Sequence, residues 1–248
     1  MPSHKTLRLI LGDQLNEAHS WFKAPDKQVT FVMMEIRQET DYVAHHIQKV
    51  TAFFAAMRAF AKRLRERGHQ VIYIKLDDPK NRQTLDDNIA YLLDRKKFTD
   101  FEYLLPDEYR LDQQLREMAE ALPVPVEAAD TQHFLTERRE LADFFAGKKR
   151  YLMESFYRWM RQRYDILMED GKPVGDKWNF DQKNRQAYDN KVPIPKPLFF
   201  ANNVSDIVIT IRKKKITTIG YIKPDRLLWP VTRDQSLALV KSFVRDFL

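Results

Sequence analysis

Short apolar runs and longer amphipathic stretches alternate along the first half of the chain. TLRLIL at Thr6–Leu11 is a short apolar run stopped by Gly12, which predicts a buried strand. VTFVMME at Val29–Glu35, rich in β-branched and bulky apolar residues, predicts a second. A long helix should follow, because Val43, His46, Ile47, Val50, Phe53, Phe54, Met57, Phe60, Ala61 and Leu64 recur every three to four residues. Thr40 or Asp41 would cap its start and Gly68 would end it. QVIYIKL at Gln70–Leu76 is a third strand, and Thr84–Lys97 a helix with Leu85, Ile89, Leu92 and Leu93 on one face. Phe101–Leu105, closed by Pro106, is a fourth strand, Leu111–Leu122 a helix, and Val124–Ala128 a short fifth strand.

Strands that alternate with helices, through connections too long for hairpins, predict an α/β fold. The expected architecture is a doubly wound five-stranded parallel sheet of Rossmann-like kind with right-handed crossovers. Strand order stays open, although 3-2-1-4-5 is the commonest arrangement of such a half. Beyond Thr136 the pattern changes. Arg150–Leu167 is amphipathic, Gly171–Ala201 is irregular and carries Pro173, Pro193, Pro195 and Pro197, Ile207–Lys215 is short and basic, and Arg233–Leu248 is a final helix. The expected division is therefore 1–136 as the α/β domain and 137–248 as a helical and extended linker region. Because the last helix stops mid-pattern at Asp246-Phe247-Leu248, a cut chain is expected.

Charge separates the two halves. Residues 1–140 carry 21 Lys and Arg against 23 Asp and Glu, whereas residues 141–248 carry 21 against 12, so the second half holds the whole excess behind the net +7. A polyanion or an acidic protein face near that half is one reading, and a solvated basic surface the other. With no cysteine, disulfides, thiolate zinc sites, cysteine nucleophiles and thiolate-held iron–sulphur clusters are excluded for this chain. No apolar run approaches a membrane span, and the N-terminus lacks a secretory pattern, so a cytoplasmic location is expected, with a monomer as the default state.

Ligands of open α/β sheets bind at the carboxyl ends of the strands. The first strand delivers Gly12, Asp13 and Gln14 there, and the second Glu35, followed by Glu39 and Tyr42. Such polar groups suit a small hydrogen-bonding heterocycle with hydroxyls. Neither G-x-G-x-x-G nor G-x-x-x-x-G-K-[ST] occurs, so no phosphate cradle is expected. The plainer alternative leaves Asp13 as a helix cap and Glu35 as a solvated strand end. Adjacent His45 and His46 on one helix would point about 100° apart, so no metal site is expected. No hydrolase elbow occurs either, and no catalytic residue is assigned. Tyr151, Phe156, Tyr157, Arg158, Trp159, Arg161, Arg163 and Tyr164 interleave aromatics with arginine. They could stack on nucleic acid, or pack Phe156 and Trp159 inward with the arginines in water.

LILGDQL (Leu9–Leu15), the Glu35–Lys49 block with TDYVAHHIQK, FFAAMRAFAKRLRERGHQVIY, LMESFYRWMR (Leu152–Arg161) and WNFDQKNRQ (Trp178–Gln186) occur in order. Together they resemble the bacterial photolyase-related proteins that carry an iron–sulphur cluster, the prokaryotic (6-4) photolyases and their cryptochrome-like relatives. The resemblance implies a protein of about twice this length. Its N-terminal α/β domain would bind the antenna chromophore 6,7-dimethyl-8-ribityllumazine, and a helical C-terminal domain would hold FAD and a 4Fe-4S cluster. The implied binders are Gly12, Asp13, Gln14, Glu35, Glu39 and Tyr42. In the irregular segment, Asp181, Asn184 and Arg185 would face UV-damaged DNA, or the segment would act as a clasp pinned by Trp178 and Phe180. The competing readings are a stand-alone nucleotide-binding or sensor domain and a DNA-binding module in its own right.

Overall fold

The computed structural model describes residues 4–181, 185, 187, 191, 193–223 and 226–247. The chain divides into two compact units, one formed by Met1–His133 with Lys196–Leu248 and the other by Phe134–Pro195.

The first unit is built on a parallel sheet of β1 (Thr6–Leu9), β2 (Val29–Met34), β3 (Gln70–Ile74), β4 (Asp100–Leu104) and β5 (Val126–Ala129). Its spatial order is β3-β2-β1-β4-β5, so the order reverses direction between β1 and β4. In register, Leu9 lies opposite Val32 on β2 and Tyr103 on β4. Side-chain alternation sends Leu7, Leu9, Val32 and Met34 to one face and Phe31 and Met33 to the other, each face with its own core. The short helix α1 (Gln38–Asp41) follows β2 and is succeeded by α2 (Ile47–Glu66), while α3 (Leu85–Lys96) and α4 (Tyr109–Ala121) follow β3 and β4. Leu85, Ile89, Leu92, Leu111 and Leu115 seal one face, whereas Phe54, Met57, Phe60 and Leu64 of α2 seal the other.

The first long helix starts later than its periodicity predicts. His45 and His46 form a two-residue parallel strand with Thr218 and Ile219, so the helix begins at Ile47. His46 is its cap, the ring Nδ1 accepting from the Gln48 amide at 3.1 Å, where the pattern had placed it on the apolar stripe. Gly68, at φ +89°, ends the run of helix as expected.

The basic stretch near residue 210 is α7 (Ser205–Lys213), and it belongs to the first unit. Its buried Ile207, Val208 and Ile211 join the core around α2. A single cut near residue 136 misses this return, because three apolar residues beside Arg212-Lys213-Lys214-Lys215 leave little visible stripe. The fold is fastened at Glu35, which is fully buried. Arg58 of α2 donates to both its oxygens at 2.6 and 3.0 Å, the Tyr73 hydroxyl donates at 2.7 Å, and the Leu76 amide at 3.0 Å. Arg58 also reaches Asp206 of α7 at 2.6 Å. Burial alone would lower the Arg58 pKa, but the Glu35 carboxylate raises it well above the usual arginine range. Burial and the same carboxylate push the Tyr73 phenol up, so it remains a donor.

In the second unit, α5 (Glu140–Phe145) and α6 (Met153–Tyr164) bring together Phe144, Phe145, Phe156 and Trp159, with ring centroids 4.9 to 6.2 Å apart. Arg161, 5% exposed, donates to the carbonyls of Ile166 at 3.0 Å and Trp178 at 3.1 Å. No helix among the described residues is long and apolar enough to cross a membrane.

Two predictions follow from this packing. Arg58→Ala leaves Glu35 as a buried carboxylate without its ion-pair partner and should destabilise the chain by about 3–5 kcal/mol, read by urea unfolding; a loss below about 1 kcal/mol would contradict the fastening role. The second is pH dependence. Burial lowers the pKa of His19 and His69 from the ordinary 6.5. His19 needs the neutral ring, because its Nδ1 accepts from the Trp21 amide while Nε2 donates to the Asp130 carbonyl. The unfolded chain then binds protons that the folded chain resists, so this stability is present above 6.5 and is lost as the pH falls through the lower folded values. Unfolding free energy should fall as the pH drops below 6.5, and His69→Gln should shrink the fall. An unchanged slope in that variant would remove His69 from the account.

Candidate functional site

At the carboxyl ends of β1 and β2 lies a cavity of about 260 Å³. It sits beside the reversal in strand order, and residues after β1, β2 and β4 all line it. Its apolar lining is deep: Ile10, Met34, Ile36, Val50, Phe54 and Met57 are buried. Phe53, 40% exposed, lines it nearer solvent. Asp13, Tyr42, Lys49 and Glu108 are exposed lining residues and form the mouth, with half-buried Glu39 and His45 and buried Thr40.

Local structure explains each placement. Gly12 lies where β1's exit loop passes under α2, and a Cβ there would stand 3.1 Å from both Met57 Sδ and Phe53 Cδ1. Any side chain at Gly12 would therefore crowd the cavity wall. Asp13 follows it at the mouth. Its carboxyl is pushed up from the usual aspartate value by loss of solvation, with Asp107 and Glu108 adding repulsion against a backbone hydrogen bond that lowers it. Glu39 is held by Arg110 through two hydrogen bonds of 3.1 and 2.9 Å. Tyr42 lies under the Arg110 guanidinium, 4.5 Å from the ring centroid, and edge-on to His45 at 4.9 Å. The His45 pKa is lowered by burial and then by Lys49, whose Nζ lies 3.2 Å from Nδ1.

Gly12, Asp13, Glu39 and Tyr42 are thus brought together, as the strand-end rule expects, and Gln14 and Glu35 are not among the lining residues. Gln14 is buried; its Oε1 accepts from the Leu11 amide at 3.0 Å and its Nε2 donates to the Leu104 carbonyl at 3.1 Å. It joins the exits of β1 and β4. Glu35 is neither a ligand binder at the mouth nor a solvated strand end, since its oxygens are taken by Arg58, Tyr73 and Leu76. Thr40, His45, Lys49, Phe53, Met57 and Glu108 also line the cavity, a role that the sequence did not assign them. Phe53 and Met57 read as ordinary core on periodicity, but Glu108 had a usable signal in its place just past the fourth strand.

A family model described as deoxyribodipyrimidine photo-lyase-related protein matches residues 8–227. The chain belongs to this family. It is 33% identical to a (6-4) photolyase of Agrobacterium fabrum over 98% of its own length and 48% of the relative's. The chain thus spans about half the length of that photolyase. It is also 24% identical to the uncharacterized protein R852 of Acanthamoeba polyphaga mimivirus, over 76% of this chain and 97% of that one.

In this photolyase-related chain the second unit carries the irregular motif. Trp178 is half-buried, its ring 5.2 Å from Arg158 and 5.5 Å from Arg161 of α6. The arginines of this helix are engaged by groups of their own unit: Arg158 pairs with Glu154, Arg163 with Glu140, and Arg161 with backbone carbonyls. Asp181 and Arg185 are exposed, and Asn184 lies outside the described residues. Among the described residues no group of three or more His, Asp or Glu is placed to hold a metal ion.

Gly12→Val should lower ligand affinity at the cavity by intrusion of its branches between Phe53 and Met57. Titration with a fluorescent heterocycle checks this, and unchanged affinity would place binding elsewhere.

Proposed function

We propose that the cavity at the carboxyl ends of β1 and β2 binds a flat, hydroxyl-bearing heterocycle, 6,7-dimethyl-8-ribityllumazine, as a light-harvesting chromophore. The observation that carries the reading is the division of the cavity into a buried apolar interior and a mouth of carboxylate and hydroxyl acceptors. A ring would be desolvated against Phe53, Phe54 and Met57, while N–H and O–H donors would meet Asp13, Glu39 and Thr40. When bound, a lumazine supplies absorption in the violet and near ultraviolet and passes excitation to a flavin. The residues here bind, orient and exclude water; none is assigned a catalytic step.

Similarity to a (6-4) photolyase supports a wider reading for a chain of that relative's length: light-driven, FAD-dependent repair of UV-damaged DNA, or blue-light sensing. FAD and a 4Fe-4S cluster would then be held by residues outside these 248, which contain no cysteine. In such a protein the exposed Asp181 and Arg185 would approach DNA, with Trp178 fixing their segment on α6.

Titrating the purified chain with the lumazine should give saturable binding with a change in its absorption or fluorescence. Asp13→Ala should weaken it on the order of tenfold, one hydrogen bond's worth, without lowering the melting temperature. Glu35→Ala should lower the melting temperature, because Glu35 belongs to the buried network and not to the lining. If Asp13→Ala leaves affinity unchanged, the ligand does not use this mouth; a preference for a nucleotide over the lumazine would favour a sensor domain.

A further inference from the structure

Arg110 stands just behind the cavity. It is absent from the lining, yet it touches three residues that form the lining. Glu39, after β2, accepts two hydrogen bonds from it at 3.1 and 2.9 Å. Glu108, after β4, accepts two more at 2.8 and 3.0 Å. Tyr42 lies beneath its guanidinium at 4.5 Å. One planar cation on the second residue of α4 therefore links two loops that leave the sheet on either side of β1. The linkage is reinforced nearby: Gln38 donates to Gln114 of α4 at 2.7 Å and accepts from the Leu85 amide at 3.0 Å.

The charge arrangement gives this hub a chemical consequence. Asp13, Glu39 and Glu108 bring three carboxylates to the lining, and Lys49 is the cation that lines it with them. With Arg110 in place, one of the two charges on Glu39 and Glu108 is offset by a shared partner; Glu39 also accepts from Gln38 at 3.0 Å, and both carboxylates keep a lone pair for a further donor, since a carboxylate has about four acceptor sites. Without it, the uncompensated negative charge of the mouth would rise by one and Tyr42 would lose the guanidinium against which it packs.

We infer that Arg110 is a positioning residue that biases the ligand class of the cavity: by fixing Glu39, Glu108 and Tyr42 and offsetting one negative charge, it directs the mouth's acceptors at uncharged N–H and O–H donors and weakens its pull on cations. The inference rests on the chromophore site proposed above.

The test uses 6,7-dimethyl-8-ribityllumazine as the uncharged probe and a cationic heterocyclic dye, thioflavin T, as the charged one. Arg110→Ala should weaken lumazine binding on the order of tenfold and strengthen dye binding, with the thermal midpoint little changed. Arg110→Lys should restore the charge balance, and with it the low dye affinity, but not full lumazine affinity, because lysine lacks the planar fork. In a Glu39→Ala background, Arg110→Ala should cost much less, since its main partner is already gone. Equal losses in both backgrounds, or a lumazine loss that tracks a lowered thermal midpoint, would make Arg110 a fold clamp and overturn the inference. Wild-type lumazine binding with Arg110→Ala unchanged would overturn it alone. A wild type that binds no lumazine would overturn both this inference and the chromophore reading.

Discussion

A carboxylate buried in a protein interior must be matched by a cation and by donors, and Glu35 has all of them. Its position just past β2 makes that requirement an architectural one. Arg58 comes from α2, Tyr73 from β3 and the Leu76 amide from the turn beyond, so one side chain fixes the helix and edge strand against the exit of β2. Through Asp206, Arg58 also holds the returning α7. With Glu35 turned into this network, the next turn of chain is free to carry Ile36, Glu39, Thr40 and Tyr42 to the cavity. The buried structural carboxylate and the cavity-lining one thus stand within five residues of each other, at Glu35 and Glu39.

The mouth uses the same chemistry in a wetter setting. Arg110 does for Glu39 and Glu108 what Arg58 does for Glu35, but with side chains 32 to 44% exposed, where each ion pair contributes less to stability. Its value lies in geometry. A bidentate pair and a stacked tyrosine hold acceptors in fixed directions at the edge of an apolar interior, which is what orientation of a flat ring requires.

Most of the fold was legible in the sequence. Periodicity places the five strands within two residues of their observed ends, because turn residues and alternating apolar sets are local signals. The start of α2 was not, since His45 and His46 are drawn into a pairing with Thr218 and Ile219, far along the chain. Nor was the return of α7, whose apolar triplet becomes meaningful only against α2. At the site, the strand-end rule finds Gly12, Asp13, Glu39 and Tyr42, but it cannot tell a glutamate that faces the cavity from Glu35, which turns to Arg58. That choice depends on an arginine 23 residues away. The arginines of α6 show the same limit. Their composition suggests a nucleic-acid face, yet Arg161 is buried on backbone carbonyls and Arg163 is paired within its own unit.

Binding of the chromophore in the strand-end cavity would leave a local signature on the backbone. Amide chemical-shift mapping of isotope-labelled protein during titration with 6,7-dimethyl-8-ribityllumazine tests it directly. Saturable shifts should concentrate at Gly12 and Asp13, Glu39 to Tyr42, Lys49 to Met57 and Glu108, with residues around α6 unmoved. Shifts clustered in Phe134–Pro195, or none at saturating ligand, would contradict it.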